Sequence, residues 1–281
     1  MFLLNYMNKF KNNLRRIYLI LRKDFLISSS YRMSFLSQFF IIIFQILLFF
    51  FLSKFVLIPE SFSGITNIGN YFLFVVFGVC FIDILSTISN WIPKEILEYK
   101  KNGVFEEILS LEESFFLVTF SSGIYISLVS LVKLILAFLI SSFLLGYLII
   151  EIDMLPFFLL SSFLMIISFI LIGIIASSFT IKFYKVGPIP VLFLLISIFF
   201  GGAYFPTSIT PEKISFFSNL TTFSFGLESV RILMADNVDL ELYFENIIKV
   251  LILTTIYFFI AFLSLRLAIK NAKKNATFLH Y

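Results

Sequence analysis

One cysteine, one histidine and one tryptophan occur in 281 residues, and each scarcity closes off a class of chemistry. The lone Cys80 leaves neither a disulfide nor a cysteine-based metal site within one chain. The lone His280 rules out a histidine triad and a zinc site with two histidines. No G-x-x-x-x-G-K-[ST] stretch occurs, nor any Gly-Lys pair, so the backbone cradle that holds nucleotide phosphates is missing. Charge is also sparse, at 14% of residues. What fills the chain instead is apolar: 60% hydrophobic residues, 19% aromatic residues and a mean hydropathy of +1.03. That exceeds what a water-exposed fold hides, so the chain belongs in a membrane. Forty-one Phe against one Trp supplies bulk apolar surface without a tryptophan belt, an excess that biased coding DNA would produce equally well. The net charge of +4 does not indicate a nucleic-acid partner, because the basic residues lie beside apolar runs, where they set orientation in lipid.

The first residues do not read as a signal peptide, since no apolar core of the needed length precedes a small-residue cleavage site. From Lys9 to Lys23 apolar residues recur on one helical face, with Lys11, Arg15, Arg16 and Arg22 elsewhere, as in a helix lying flat on the cytoplasmic membrane surface. A hydrocarbon layer of roughly 30 Å needs about 20 apolar helical residues. That ruler places spans near 33–57, 71–92, within 115–150, 155–181, from the Pro188 and Pro190 pair to Gly201 and Gly202, and 247–269. Between the last two, an apolar but broken stretch carries Glu212, Lys213, Glu228 and Arg231, and is expected to be a hairpin dipping in from outside. Lys249, Arg266, Lys270, Lys273 and Lys274 follow the last acidic residue, Glu245, so both termini are expected in the cytoplasm and the number of full spans is even. The expected fold is all-α and integral to the membrane. One transmembrane domain covers 1–281, with an interfacial helix in 1–32, spans one to four in 33–181, and spans five and six in 182–281 around an outer hairpin near 207–235.

On this topology the charged stretch after the second span faces the cytoplasm. After the Asn102-Gly103 turn signal, Val104, Phe105, Ile108 and Leu109 cluster on one helical face, with Glu106, Glu107, Glu112 and Glu113 mostly elsewhere. A helix from Val104 to Glu113 is about 15 Å long, too short to span. Six glutamates from Glu95 to Glu113 oppose docking on anionic lipid, which leaves a protein partner or a solvated loop.

These residues resemble the coupling segment of ABC type-2 exporter permeases: Gly103-Val104-Phe105-Glu106, Ile108-Leu109-Ser110 and Ser114, with Val104 replacing the usual threonine and Glu112 in place of the proline. Tyr31 to Phe40 and Gly201 to Met234 resemble the same family, the latter at Gly202, Phe205-Pro206, Pro211 and Arg231, with Leu220 where a proline often follows. The resemblance implies a homodimer, or a heterodimer with a similar chain, each permease resting on a cytoplasmic ATP-binding subunit. It also implies that ATP and magnesium are held by that partner, that this chain binds no cofactor or metal and catalyses nothing, and that the direction is export. Phe105 and Ile108 are expected to key into the ATPase.

Inside the spans Asp83 and Lys133 stand out, since intramembrane charges face protein or water. An ion pair between them is one arrangement, although their depths counted from the cytoplasmic ends differ by several ångströms at about 1.5 Å per residue. Gln38 and Gln45 share a helical face and suit helix packing, a dimer interface or a pathway. Glu228 and Arg231 suit either pairing on one face or substrate contact. Drug or lipid amphiphiles are the expected cargo, ahead of polysaccharides. An ion-coupled secondary transporter and a non-transporting scaffold remain as alternatives.

Overall fold

The computed structural model describes residues 2–55, 71–110, 115–205, 212–235 and 237–274. Among them the chain is helical throughout: α1 (Phe2–Ser30), α2 (Arg32–Ser53), α3 (Tyr71–Lys101), α4 (Val104–Ser110), α5 (Phe115–Leu145), α6 (Leu155–Phe183), α7 (Ile189–Phe200), α8 (Glu212–Asn219), α9 (Thr222–Ile232) and α10 (Leu240–Lys274), with one 3₁₀ turn at Ile152–Met154. Five helices are long and apolar enough to cross a membrane: α2, α3, α5, α6 with its preceding turn, and α10. The segment expected as a fifth span is only the 12-residue α7. At about 1.5 Å per residue it covers about 18 Å, short of the roughly 30 Å hydrocarbon layer.

Side-chain pairs fix the directions. Phe77 meets Phe158 ring to ring at 5.7 Å, and a Cβ on Gly173 would touch the Ile88–Ser89 backbone, so α3 and α6 run parallel. Lys133 meets Asp83 and Ser122 meets Glu95, so α5 runs antiparallel to α3. Ser161 meets Tyr243 at 3.0 Å and Ser178 meets Ser264 at 3.2 Å, so α10 runs parallel to α6. Two consecutive long helices in the same direction oblige the chain between them to return the full length of the bundle. The short α7 begins that return, passing Tyr257 at Phe193. The pair α8 and α9 completes it in a bent way. Ser218 donates to the Phe200 carbonyl at 2.6 Å, the Tyr257 hydroxyl donates to the Leu220 carbonyl at 2.5 Å, and Ser168 meets Thr222 at 2.7 Å. Tyr257 and Ser168 lie mid-way along α10 and α6, so the turn joining α8 to α9 sits at half depth, and α9 climbs back to reach Phe74 through Arg231.

The core lies along α3 and α6, whose central apolar windows are the most enclosed of the long helices. Small residues allow the close approach: Gly123 and Gly173 face Ile92 from two sides, and a Cβ on either would crowd it. Pro93, inside α3, removes one backbone donor without ending the helix, a break that helices packed on every side tolerate. The α6 serines satisfy their hydroxyls on carbonyls of their own helix, as Ser161, Ser162 and Ser177 do, so they pack as small groups.

The two ends of the bundle differ in charge. Lys94, Lys100, Lys101, Lys182, Lys185, Lys270, Lys273 and Lys274 gather where α3, α6 and α10 finish, and outnumber Glu95, Glu98, Glu106 and Glu107 there, where α4 also lies. Glu151, Asp153, Asp239, Glu241 and Glu245 lie at the opposite end, with Lys54 and Lys249.

Candidate functional site

At the basic end, Gly103 ends α3 and starts α4 with φ of +71°, and nothing lies within 4 Å of where its Cβ would be. The glycine is there for the left-handed turn rather than for space. The turn folds α4 back beneath α3, and its apolar face goes inward. Phe105 is 1% exposed and meets Phe115 edge-on at 5.3 Å, while Ile108 and Leu109 are half-buried against the same core. The expectation that this face is offered whole to a partner is therefore corrected for Phe105. A seven-residue helix buries its stripe against the nearest apolar surface, and that surface is the base of its own chain. What α4 presents outward is Gly103, Val104 and Glu107. The Glu106 Oε2 is buried without a hydrogen-bond partner. Glu112, Glu113 and Ser114 lie outside the described residues.

Two lysines tie α4 to the long helices. Lys100 Nζ donates to the Ile181 carbonyl at the end of α6, and sits 3.5 Å from the Tyr184 ring centroid and 5.2 Å from that of Phe105. Tyr184 takes the left-handed conformation that stops α6, with φ of +56°. From α10, Lys273 Nζ donates to the Leu109 carbonyl at 3.5 Å. A force on α4 therefore reaches α3, α5 and α10 through direct contacts, and α6 by way of Lys100.

Within the bundle, Lys133 Nζ donates to Asp83 Oδ2 at 2.9 Å. The structure brings these two together despite their different counted depths. Gln38 and Gln45 keep their shared face on α2, and neither Oε1 has a hydrogen-bond partner. Gln45 borders an open apolar concavity of about 820 Å³ walled by Phe40, Phe44, Leu48 and Phe51.

At the acidic end, Glu228 and Arg231 do not pair. Glu228 is exposed, whereas Arg231 is buried, stacks 3.5 Å from the centre of the Phe74 ring, and donates to the carbonyls of Phe74 and Gly202 at 2.8 Å and of Ala203 at 3.4 Å. The arginine thus clamps the top of α9 to α3 and to the corner after α7. Gly202 makes that corner with φ of +76°, and Phe205 is 65% exposed beside it. Pro206 and Pro211 lie outside the described residues.

One constellation escaped the sequence reading. Lys23 Nζ bonds Glu95 Oε1 and the Tyr99 hydroxyl, both at 2.5 Å, and lies 3.0 Å from Asp24. Tyr99 and Ser122 donate to the two oxygens of Glu95. The group pins α1 to α3 and α5. Burial and then the Glu95 charge push the Asp24 carboxyl up to about 6, against the pull of Lys23. For Lys23 burial works downward, yet Glu95 and Tyr99 outweigh it and hold the ammonium above its ordinary range. Two signals pointed here: an acidic residue in an otherwise basic amphipathic helix, and Glu95 and Tyr99 one turn apart.

The chain matches no family model and no curated protein sequence.

Proposed function

We propose that this chain is the membrane-embedded permease subunit of an ATP-binding-cassette exporter, acting as a pair of permeases on two cytoplasmic ATPase subunits. The observation that carries the reading is α4: a short helix at the basic end, exposed at Gly103, Val104 and Glu107, and braced from behind by Phe105, Lys100 and Lys273. A helix meant only to close a loop has no need of ties to three others, whereas one that receives a partner's motion does. The resemblance of Gly103 to Leu109 to the coupling segment of ABC type-2 permeases supports the same reading. The basic end is then cytoplasmic. Six passages follow if α7 and the α8–α9 pair together make the fifth, with the hairpin capping a pathway at the outer side. Irregular backbone at half depth suits a segment that borders protein or a water-filled cavity. The cargo is an amphiphile, drug or lipid, supported by the absence of an arginine-tyrosine-rich motif before α2.

The buried Asp83–Lys133 pair favours one second reading, transport coupled to an ion gradient. The experiment separates the two. The chain is co-expressed with a candidate cytoplasmic P-loop ATPase and reconstituted in lipid. Co-purification with substrate-stimulated ATP hydrolysis is expected. Val104→Asp should abolish stimulation while leaving the heat-unfolding midpoint in place, because its side chain faces outward. Flux driven by an ion gradient with no ATPase present would sink the exporter reading.

A further inference from the structure

We infer that the elbow between α1 and α2 is a binding site for the phosphate headgroup of an anionic lipid, held whether or not the protein is transporting. The inference requires only that the chain is embedded in a membrane, not that it belongs to an exporter. A cavity of about 300 Å³ lies where α1 ends and α2 begins, against α5. Phe25, Phe35 and Leu36 form apolar walls, and Ser28, Arg32 and Tyr125 supply the polar groups.

Two of those groups are incomplete. Tyr125 is only 6% exposed, and its hydroxyl sits beside Ser28 without closing a well-formed hydrogen bond to it. A buried hydroxyl without a well-aligned partner is costly, and an acceptor oxygen in the cavity would satisfy it. Arg32, at the mouth, is exposed and makes no ion pair among the described residues. Its planar fork of donors matches two oxygens of a phosphate. Asp24, the carboxylate of α1, is occupied by Lys23 at 3.0 Å and makes no ion pair with Arg32. The apolar walls argue for a lipid over a free phosphate ester: Phe25 and Leu36 are about half exposed, so acyl chains leaving the cavity would lie against them. The site also sits at the basic end of the bundle, the end that an anionic leaflet attracts.

The test is retention of phosphatidylglycerol, measured by native mass spectrometry on the full chain in mild detergent, against phosphatidylcholine at equal concentration. Wild type should keep phosphatidylglycerol in preference. Arg32→Gln should weaken its retention about tenfold, the loss of one charged hydrogen-bonded contact, and bring it to the phosphatidylcholine level. Tyr125→Phe removes only the hydroxyl, preserves the packing, and should weaken retention severalfold, so it tests the site even if the arginine variant unfolds. Excess glycerol phosphate should not displace the lipid; full displacement would assign the cavity to a free phosphate ester and overturn the proposal. Equal retention of the two lipids, or retention indifferent to both substitutions, would overturn it as well. Failure of ATPase coupling leaves this outcome untouched, because no step of the measurement uses the partner.

Discussion

Removing the aspartate of the Asp83–Lys133 pair is expected to cost more than removing the lysine. At 2.9 Å and an effective dielectric of about 20, the attraction is about 6 kcal/mol, most of it offsetting the desolvation of the two charges. Those desolvations are unequal, since the Lys133 side chain is 2% exposed and that of Asp83 20%. Asp83→Leu strands an ammonium inside the bundle and should lower stability by about 3–5 kcal/mol. Lys133→Leu leaves a carboxylate less enclosed by the bundle than the lysine was, for a loss of about 1–3 kcal/mol. The double variant has no charge left to strand and should lie within about 1 kcal/mol of wild type. Cys80 provides the assay: it is the only thiol and is 1% exposed, so a thiol-reactive dye reports unfolding as the detergent-solubilised protein is heated. If Lys133→Leu unfolds before Asp83→Leu, or the double variant is no better than the worse single one, the burial argument is wrong.

Three further perturbations test other joints. Arg231→Gln should cost about 2–3 kcal/mol in the same unfolding assay, and Arg231→Lys should fall between it and wild type, because an ammonium keeps the charge but not the fork that spans three carbonyls; a lysine variant as stable as wild type would remove the clamp. Gly78→Ala should cost about 1–3 kcal/mol and clearly more than Gly226→Ala, since the new Cβ would meet the Ala203 backbone oxygen at 2.5 Å in the first case and the flexible Met165 side chain in the second; the reverse order would show that the corner after α7 yields freely. Asp24 binds its proton more tightly in the folded protein, near 6 against 3.8, so folded protein holds more protons between those values and stability falls as pH rises through them. With Lys23 and Glu95 as the charged neighbours, Asp24→Asn should therefore stabilise by on the order of 1–3 kcal/mol at pH 7.5, a gain that fades below about pH 4; a gain that grows on acidification would refute the assignment.

The long helices were legible because membrane burial writes itself in uninterrupted apolar length. The limits of α3, α5, α6 and α10 lie where charge or turn residues punctuate that length, with the polar extensions of α3 and α10 continuing past the apolar runs. The passage from α7 to α9 was harder to read. Gly201, Gly202 and the run "SNLTT" signalled breaks, but not that α7 stops short of a span, because an apolar dozen residues looks alike whether it crosses a membrane or half of one. Pairings at long separation were the least visible. Lys133 and Asp83, 50 residues apart, could be named as one possible pair because both are lone charges inside spans, whereas nothing local joined Lys23 to Glu95, 72 residues apart.

The same limit explains the orientation of α4. An amphipathic stripe announces that a surface will cover it, without saying whether that surface belongs to the chain or to a partner. In Val104 to Ser110 the two roles divide by residue. Phe105 is large enough to fill the gap beneath the helix against Phe115 and Lys100, so it seats the helix, and only the residues on the outer side can meet another protein. A seated helix moves with its base. Phe105→Asp should consequently loosen the whole basic end before it affects any outside contact, whereas Val104→Asp should spare the base and alter only what docks there.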